Sequence, residues 1–171
     1  MAYCRFLSIE PQGNRASENL QNLQKILISN VKQTGNNSIT INVSADMLKD
    51  STADGKPKEN NFSTTDLILT LSTSLDFDSK NKKKSDVELF ISKMELMCSS
   101  LKESKKDNIG FYWEYYAPFF IELHEKKLVE PFAYILFLSS EDANAEKWLK
   151  NHQDETGKLI DWMKTYKWKP I

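Results

Sequence analysis

The stretch Ser85-Asp86-Val87-Glu88-Leu89-Phe90-Ile91-Ser92-Lys93-Met94-Glu95-Leu96-Met97-Cys98-Ser99-Ser100-Leu101 decides the fold class. It opens with Ser followed three residues later by Glu, the pattern in which each side chain satisfies a backbone N–H left orphaned at a helix start. Val87, Phe90, Ile91, Met94, Met97, Cys98 and Leu101 then recur at helical spacing, which predicts one apolar stripe along a long helix. Burying each such side chain is worth about 1.5–3 kcal/mol, so this helix must pack on something.

Composition agrees with a helical reading. The chain has 171 residues, 40% hydrophobic and 11% aromatic, with only 5 Gly and 5 Pro, a balance that favours long regular elements over a loop-rich β fold. Lys and Arg total 23 against 24 Asp and Glu, so a net charge of −1 supplies no overall field toward phosphate or anionic lipid. No nucleic-acid partner is expected. No stretch approaches the roughly 20 apolar residues of a membrane span, and the amino terminus lacks a charged start followed by an apolar run, so no membrane partner is expected either. If Met1 is the natural start, the expected compartment is the cytoplasm. Cys4 and Cys98 have no second Cys at metal-ligand spacing and read as buried free thiols.

Toward the amino terminus, Ala16, Leu20, Leu23, Leu27 and Val31 share one helical face, predicting a helix over 15–33 with Asn14 as cap and Gly35 as stop. Ser38-Ile39-Thr40-Ile41-Asn42-Val43-Ser44 alternates polar and apolar with β-branched residues, the one clear strand signal. A lone strand needs a partner for its backbone, within the fold, in another subunit or along the helices. Asp46 to Asn61 reads as an exposed linker. Ser63-Thr64-Thr65-Asp66 has the form of a capping box, with Leu67, Ile68, Leu71 and Leu75 expected along the packed side of the following helix.

Beyond the central helix, Pro118 either starts a helix or kinks one. Phe132 to Leu138 fits a buried helix or a strand equally. Ser139-Ser140-Glu141-Asp142 resembles a third cap before Ala145, Trp148 and Leu149, and Leu159, Ile160, Trp162, Met163 and Tyr166 furnish a last helix. The expected fold is mainly α: a helical segment over 1–35, a strand and exposed linker over 36–62, and a bundle-like helical domain over 63–171, with at most one or two short strands.

Leu7-Ser8-Ile9-Glu10-Pro11-Gln12-Gly13-Asn14-Arg15-Ala16, leading into Leu20, resembles the junction between consecutive tetratricopeptide repeats, whose period is about 34 residues. Leu7 and Ile9 stand where the second helix of a repeat closes, Pro11 stands at the turn, and Ala16 and Leu20 stand in the first helix of the next unit. Phe6 takes a place usually small, and Gln21 and Gln24 take the places of a Gly and a large aromatic. One period later the strand signal intrudes, so the resemblance implies the last seam of an array, capped by the rest of the chain. The same residues also suit an ordinary helix-turn-helix. The resemblance implies a protein that holds other proteins.

Chemistry-bearing motifs are sparse. His124 neighbours Glu122 and Glu125 but has no second His four residues away, so zinc-protease spacing is missing. His152 reads as a helix-end imidazole. Asp50-Ser51-Thr52-Ala53-Asp54-Gly55 imitates half of a calcium loop, yet its twelfth position is Asn61 and not Glu. Asn36-Asn37-Ser38, Asn42-Val43-Ser44 and Asn61-Phe62-Ser63 fit the glycosylation acceptor pattern, which means little without a secretory signal. The lysines of 80–84 and 164–169 read as a solvated loop and an amphipathic helix end. No cofactor, no metal and no catalytic residue is expected.

The aromatic block Phe111-Tyr112-Trp113-Glu114-Tyr115-Tyr116-Ala117-Pro118-Phe119-Phe120 is the remaining candidate. It suits a core, through large buried rings, and an interface, through Tyr and Trp anchors. Consecutive aromatics cannot all face inward on one helix, so Tyr112, Trp113, Tyr115 and Tyr116 are the expected partner-binding residues. The expected function is a non-enzymatic protein-interaction or structural module, with homo-oligomerisation as one form of it. The alternative is a ligand-binding or enzymatic domain with a pocket near this block, lined by Glu114, Tyr115 and His124.

Overall fold

A computed structural model describes residues 1–35, 38–48, 56–140 and 144–169, and the fold is mainly α. The central helix, here α4 (Asp86–Ser104), forms as its sequence dictates: Ser85 Oγ accepts from the Glu88 N–H, while the Glu88 carboxylate accepts from the Ser85 N–H at 2.7 Å. Val87, Phe90, Met94, Met97, Cys98 and Leu101 are buried along it. It packs against α3 (Ser63–Ser74), α6 (Ala117–Glu125) and α7 (Val129–Leu136).

Helix α7 resolves the ambiguity at Phe132 to Leu138, which run as helix and then as a 3-10 turn over Phe137–Ser139. Val129, Phe132, Ala133, Tyr134, Ile135 and Leu136 are all buried, as expected of a helix apolar on every side. It touches α1 (Ala2–Ile9), α8 (Asn144–Asn151) and α9 (Gln153–Thr165) as well as α4. Pro118 stands at the start of α6, where its missing N–H has no intrahelical role. One hydrophobic core runs from Cys4 and Leu7 through α4, α6 and α7 to Leu159, so the first 35 residues and the carboxyl-terminal helices share it.

The amino-terminal helix α2 covers Asn14–Ile28, shorter than the expected 15–33, and its cap is Gly13 at φ +98° instead of Asn14. Val31 continues the spacing of Leu27, but Val31–Gly35 forms strand β1, antiparallel to β2 (Ser38–Ile41). The expected lone strand thus finds its partner in residues that sequence periodicity had assigned to the helix. A second pair joins β3 (Lys58–Glu59) in parallel to β4 (Asn108–Ile109), so the described residues hold four short strands where one or two were expected. Residues 45–48 make a 3-10 turn against α3, and the calcium-like loop 50–55 lies outside the described residues.

Helix α3 departs most from expectation. Its supposed capping box does not form: the Ser63 N–H is met by Asn61 Oδ1 at 3.1 Å, two residues earlier in the chain. Its packed side carries Ser63, Thr65, Thr70 and Thr73, whereas Leu71 and Leu75 are 48% and 58% exposed. The three threonine hydroxyls have partners: Thr65 Oγ1 meets Ser100 Oγ at 2.9 Å, Thr73 Oγ1 donates to the Leu27 carbonyl at 3.2 Å, and Asn30 donates to Thr70 Oγ1 at 3.3 Å. Hydrogen-bonded in this way, small polar side chains can be buried without a desolvation penalty left uncompensated.

Candidate partner-binding surface

The aromatic block begins at a glycine for a steric reason. Gly110 sits at φ +104°, and a Cβ there would lie 2.6 Å from Asn60 Oδ1. Asn60 is itself at φ +48°, its N–H donates to the Ile109 carbonyl, and its Oδ1 accepts from the Tyr112 N–H at 3.1 Å. The segment beside β3 therefore fixes the first turn of α5 (Phe111–Tyr115).

That turn divides the block. Trp113 points into the protein, is fully buried, stacks on Phe62 with ring centres 4.6 Å apart, and donates from Nε1 to the Asn61 carbonyl at 2.9 Å. It is core, and of the four expected partner-binding residues it is the one whose side chain no partner can reach. Phe119 and Phe120 are buried as well. Tyr112 is 46% exposed and Phe111 41%, while Tyr115 and Tyr116 are half-buried.

The outward rings form a connected surface. Phe111 stacks on Tyr115 at 5.3 Å and Tyr112 on Tyr116 at 6.0 Å, the i, i+4 neighbours of a helix face. Trp168, from the segment after α9, closes one end against Tyr115 and Phe119 at 5.0 and 4.9 Å, with the Arg5 guanidinium 4.2 Å over its ring. Along the margin, Glu114 meets Lys169 at 3.0 Å and Lys105 at 4.0 Å, and the Lys169 hydrogen bond, then Lys105, hold its carboxyl below the usual range. Burial, followed by the nearby Glu122 charge, pushes the Tyr166 phenol up.

The other groups singled out in the sequence have structural engagements. His124 Nε2 lies 2.9 Å from Glu95, whose carboxyl is raised chiefly by burial. Glu122 accepts from Trp162 Nε1 at 2.7 Å, and Glu125 pairs with Lys102 at 2.9 Å. Glu114, Tyr115 and His124 thus answer to different neighbours: Lys169 and Lys105, the rings of Phe111 and Trp168, and Glu95. His152 stacks on Trp148, which stacks in turn on Tyr134. Cys4 and Cys98 are buried free thiols, each pushed up by burial. Among the described residues no three His, Cys, Asp or Glu side chains gather as a metal site.

Two features escaped sequence reasoning. Lys93 and Asp76 form an ion pair at 2.6 Å, the lysine side chain only 6% exposed. Its signal was a lysine on the same helix face as Phe90, Met94 and Met97. An apolar cavity between α1, α2, α3 and α4 had no signal, because its walls come from four separate segments. Compared with family models, with curated proteins and with solved structures, the chain has no match in any of the three.

Proposed function

We propose that this chain is a non-enzymatic protein-interaction module and that the outward rings of α5 are its docking surface. The observation that carries the reading is the pair Phe111 and Tyr112, both more than 40% exposed and set among Tyr115, Tyr116 and Trp168 with charged residues at the margin. An aromatic centre inside a polar rim is the anatomy of protein interfaces, and Tyr and Trp dominate their energetics. Tyr112, Tyr115 and Tyr116 are the residues assigned to the partner. Trp113 holds them in place from beneath.

The tetratricopeptide reading enters the same proposal. Helices α1 and α2 flank the turn at Pro11 and pack on each other, which supports a closing seam over 2–28, while the β1–β2 hairpin takes the place where a further helix would follow. No helix among the described residues is long and apolar enough to cross a membrane.

The test places a photo-crosslinking phenylalanine at Tyr112, with Lys83 as a control site. Irradiation in native lysate is expected to give a discrete adduct from position 112 that Tyr115→Ala weakens and that position 83 does not give. An adduct of two chains would make the partner a second copy. Equal labelling from both positions, or labelling untouched by Tyr115→Ala, would remove the surface from consideration.

A further inference from the structure

We propose that segment 166–169 is a removable strap seated in a recognition slot, and that a partner enters this slot with a Trp followed by a Lys of its own, a reading that rests on α5 being the docking surface. The present occupant shows what the slot selects. Trp168 lies nearly parallel to Phe119 with ring centres 4.9 Å apart, beside Tyr115 at 5.0 Å and edge-on to Tyr116 at 6.1 Å. The Arg5 guanidinium stands 4.2 Å over the same ring, a contact that favours Trp above other aromatics. The next residue, Lys169, brings Nζ to 3.0 Å from the Glu114 carboxylate. An aromatic floor with a carboxylate one residue further along therefore selects a ring and a cation in succession on an extended chain.

Side chains alone hold the strap. The Tyr166 N–H donates to the Trp162 carbonyl at 2.9 Å, and beyond it residues 167–169 make no backbone hydrogen bond among the described residues. Trp168 is half-buried, and the Lys169 and Glu114 side chains are 63% and 50% exposed, a setting in which an ion pair contributes little. Segments attached by so few contacts open at low free energy. Phe119 beneath is 1% exposed, so departure of Trp168 uncovers one side of an apolar ring that another large ring can cover again. A tethered strap competes as if it were present at about millimolar concentration, which excludes weak ligands. A partner that also engages Phe111 and Tyr112 has the additional contacts needed to displace it.

The test uses the full chain labelled at its tyrosine and tryptophan rings, with a capped peptide copying residues 165–169 as the probe. In Trp168→Ala the peptide is expected to shift the Tyr115 and Tyr116 resonances saturably, while Tyr134 and Trp148, stacked on each other elsewhere, stay unmoved and verify the fold. The original chain should bind the peptide about tenfold more weakly, as a slot open in about one molecule in ten would. Lys169→Glu keeps every ring but sets a second carboxylate against Glu114, and should bind the peptide about threefold more tightly than the original chain does. This second variant keeps the proposal open to refutation if Trp168→Ala does not fold. It is overturned by no saturable shift in a folded variant, by equal affinity for the original chain and the variants, or by equal binding of a peptide with Ala in place of its Trp. Dimers of the original chain that Trp168→Ala abolishes would seat a second copy's segment in the slot and overturn it too. Crosslinking from position 112 separates the two readings: an adduct without peptide binding removes the slot alone, and peptide binding without an adduct leaves the slot standing and removes α5 as the docking surface.

Discussion

Removing Asp76 is expected to destabilise the fold strongly, although the residue lies in a short 3-10 turn and looks dispensable in the sequence. The Lys93 ammonium is 6% exposed and its carboxylate partner 21% exposed, with the two held at 2.6 Å. In Asp76→Ala the lysine keeps only the long contact to the Leu89 carbonyl, and a buried charge without its partner costs about 3–5 kcal/mol. The adjoining cavity lined by Leu27, Phe90 and Phe137 offers some room for water, so the lower end, about 3 kcal/mol, applies. The reverse single change, Lys93→Met, leaves a carboxylate that reaches solvent and should lose only about 1 kcal/mol. The double variant Lys93→Met/Asp76→Ala has no orphaned charge and should return to within about 1 kcal/mol of the original. The coupling energy between the two positions is thus about 3 kcal/mol. Urea titration followed by tryptophan fluorescence reads all four chains, and melting should fall by about 6–12 °C for Asp76→Ala. If Asp76→Ala loses less than about 1 kcal/mol, or if the double variant is as unstable as the two singles added, the pair is not the buried couple argued for.

Three further outcomes are expected. Trp113→Phe keeps most of the ring stack on Phe62 but leaves the Asn61 carbonyl without its donor, and calorimetry should show a loss of about 1–3 kcal/mol. Gly110→Ala places a Cβ against Asn60 at a positive φ, and should lose about 1–3 kcal/mol together with the protection of the Tyr112 amide from hydrogen exchange. Glu88 is held below the usual glutamate range, first by the Ser85 N–H and then by its hydroxyl, so its folded pKa lies under its unfolded one. The stabilisation is therefore present above the unfolded value and lost as pH falls through the folded one. Urea midpoints of the original chain and Glu88→Gln should differ near neutrality and converge in acid, and parallel curves would contradict this.

What the sequence made legible was local. The capping box at Ser85 and the stripe from Val87 to Leu101 lie within one element, and the structure reproduces both. Errors arose where distant residues compete. Val31 continues the helical spacing of Leu27, yet Asn42 donates to the Asn30 carbonyl at 2.7 Å and the hairpin takes over, because pairing with Ile41 is available only once residues 38–41 have folded back. Asn60 and Asn61 looked like linker, and their work on Tyr112, Trp113 and Ser63 depends on neighbours that lie 52 residues away for the first two. At the candidate surface, the sequence marked the right block of rings but could not sort them. Trp113 and Tyr112 are adjacent, and only the orientation of α5, set by Gly110, sends one inward and the other out.

The arrangement of α3 bears on how the chain tolerates change. Ranked by hydrophobicity, Leu71 and Leu75 would be the positions to preserve and Thr65 and Thr73 the ones open to exchange. The packing reverses that order. Thr73 sits buried against the Leu27 backbone and Thr65 against Ser100, each held by a hydrogen bond, whereas the two leucines face water. Directed variation of this helix should therefore enrich lysine, glutamate and glutamine at 71 and 75 while holding 65 and 73 to Thr, Ser or Ala. An engineer seeking a more soluble form of the protein would begin with these two leucines and leave the threonines alone.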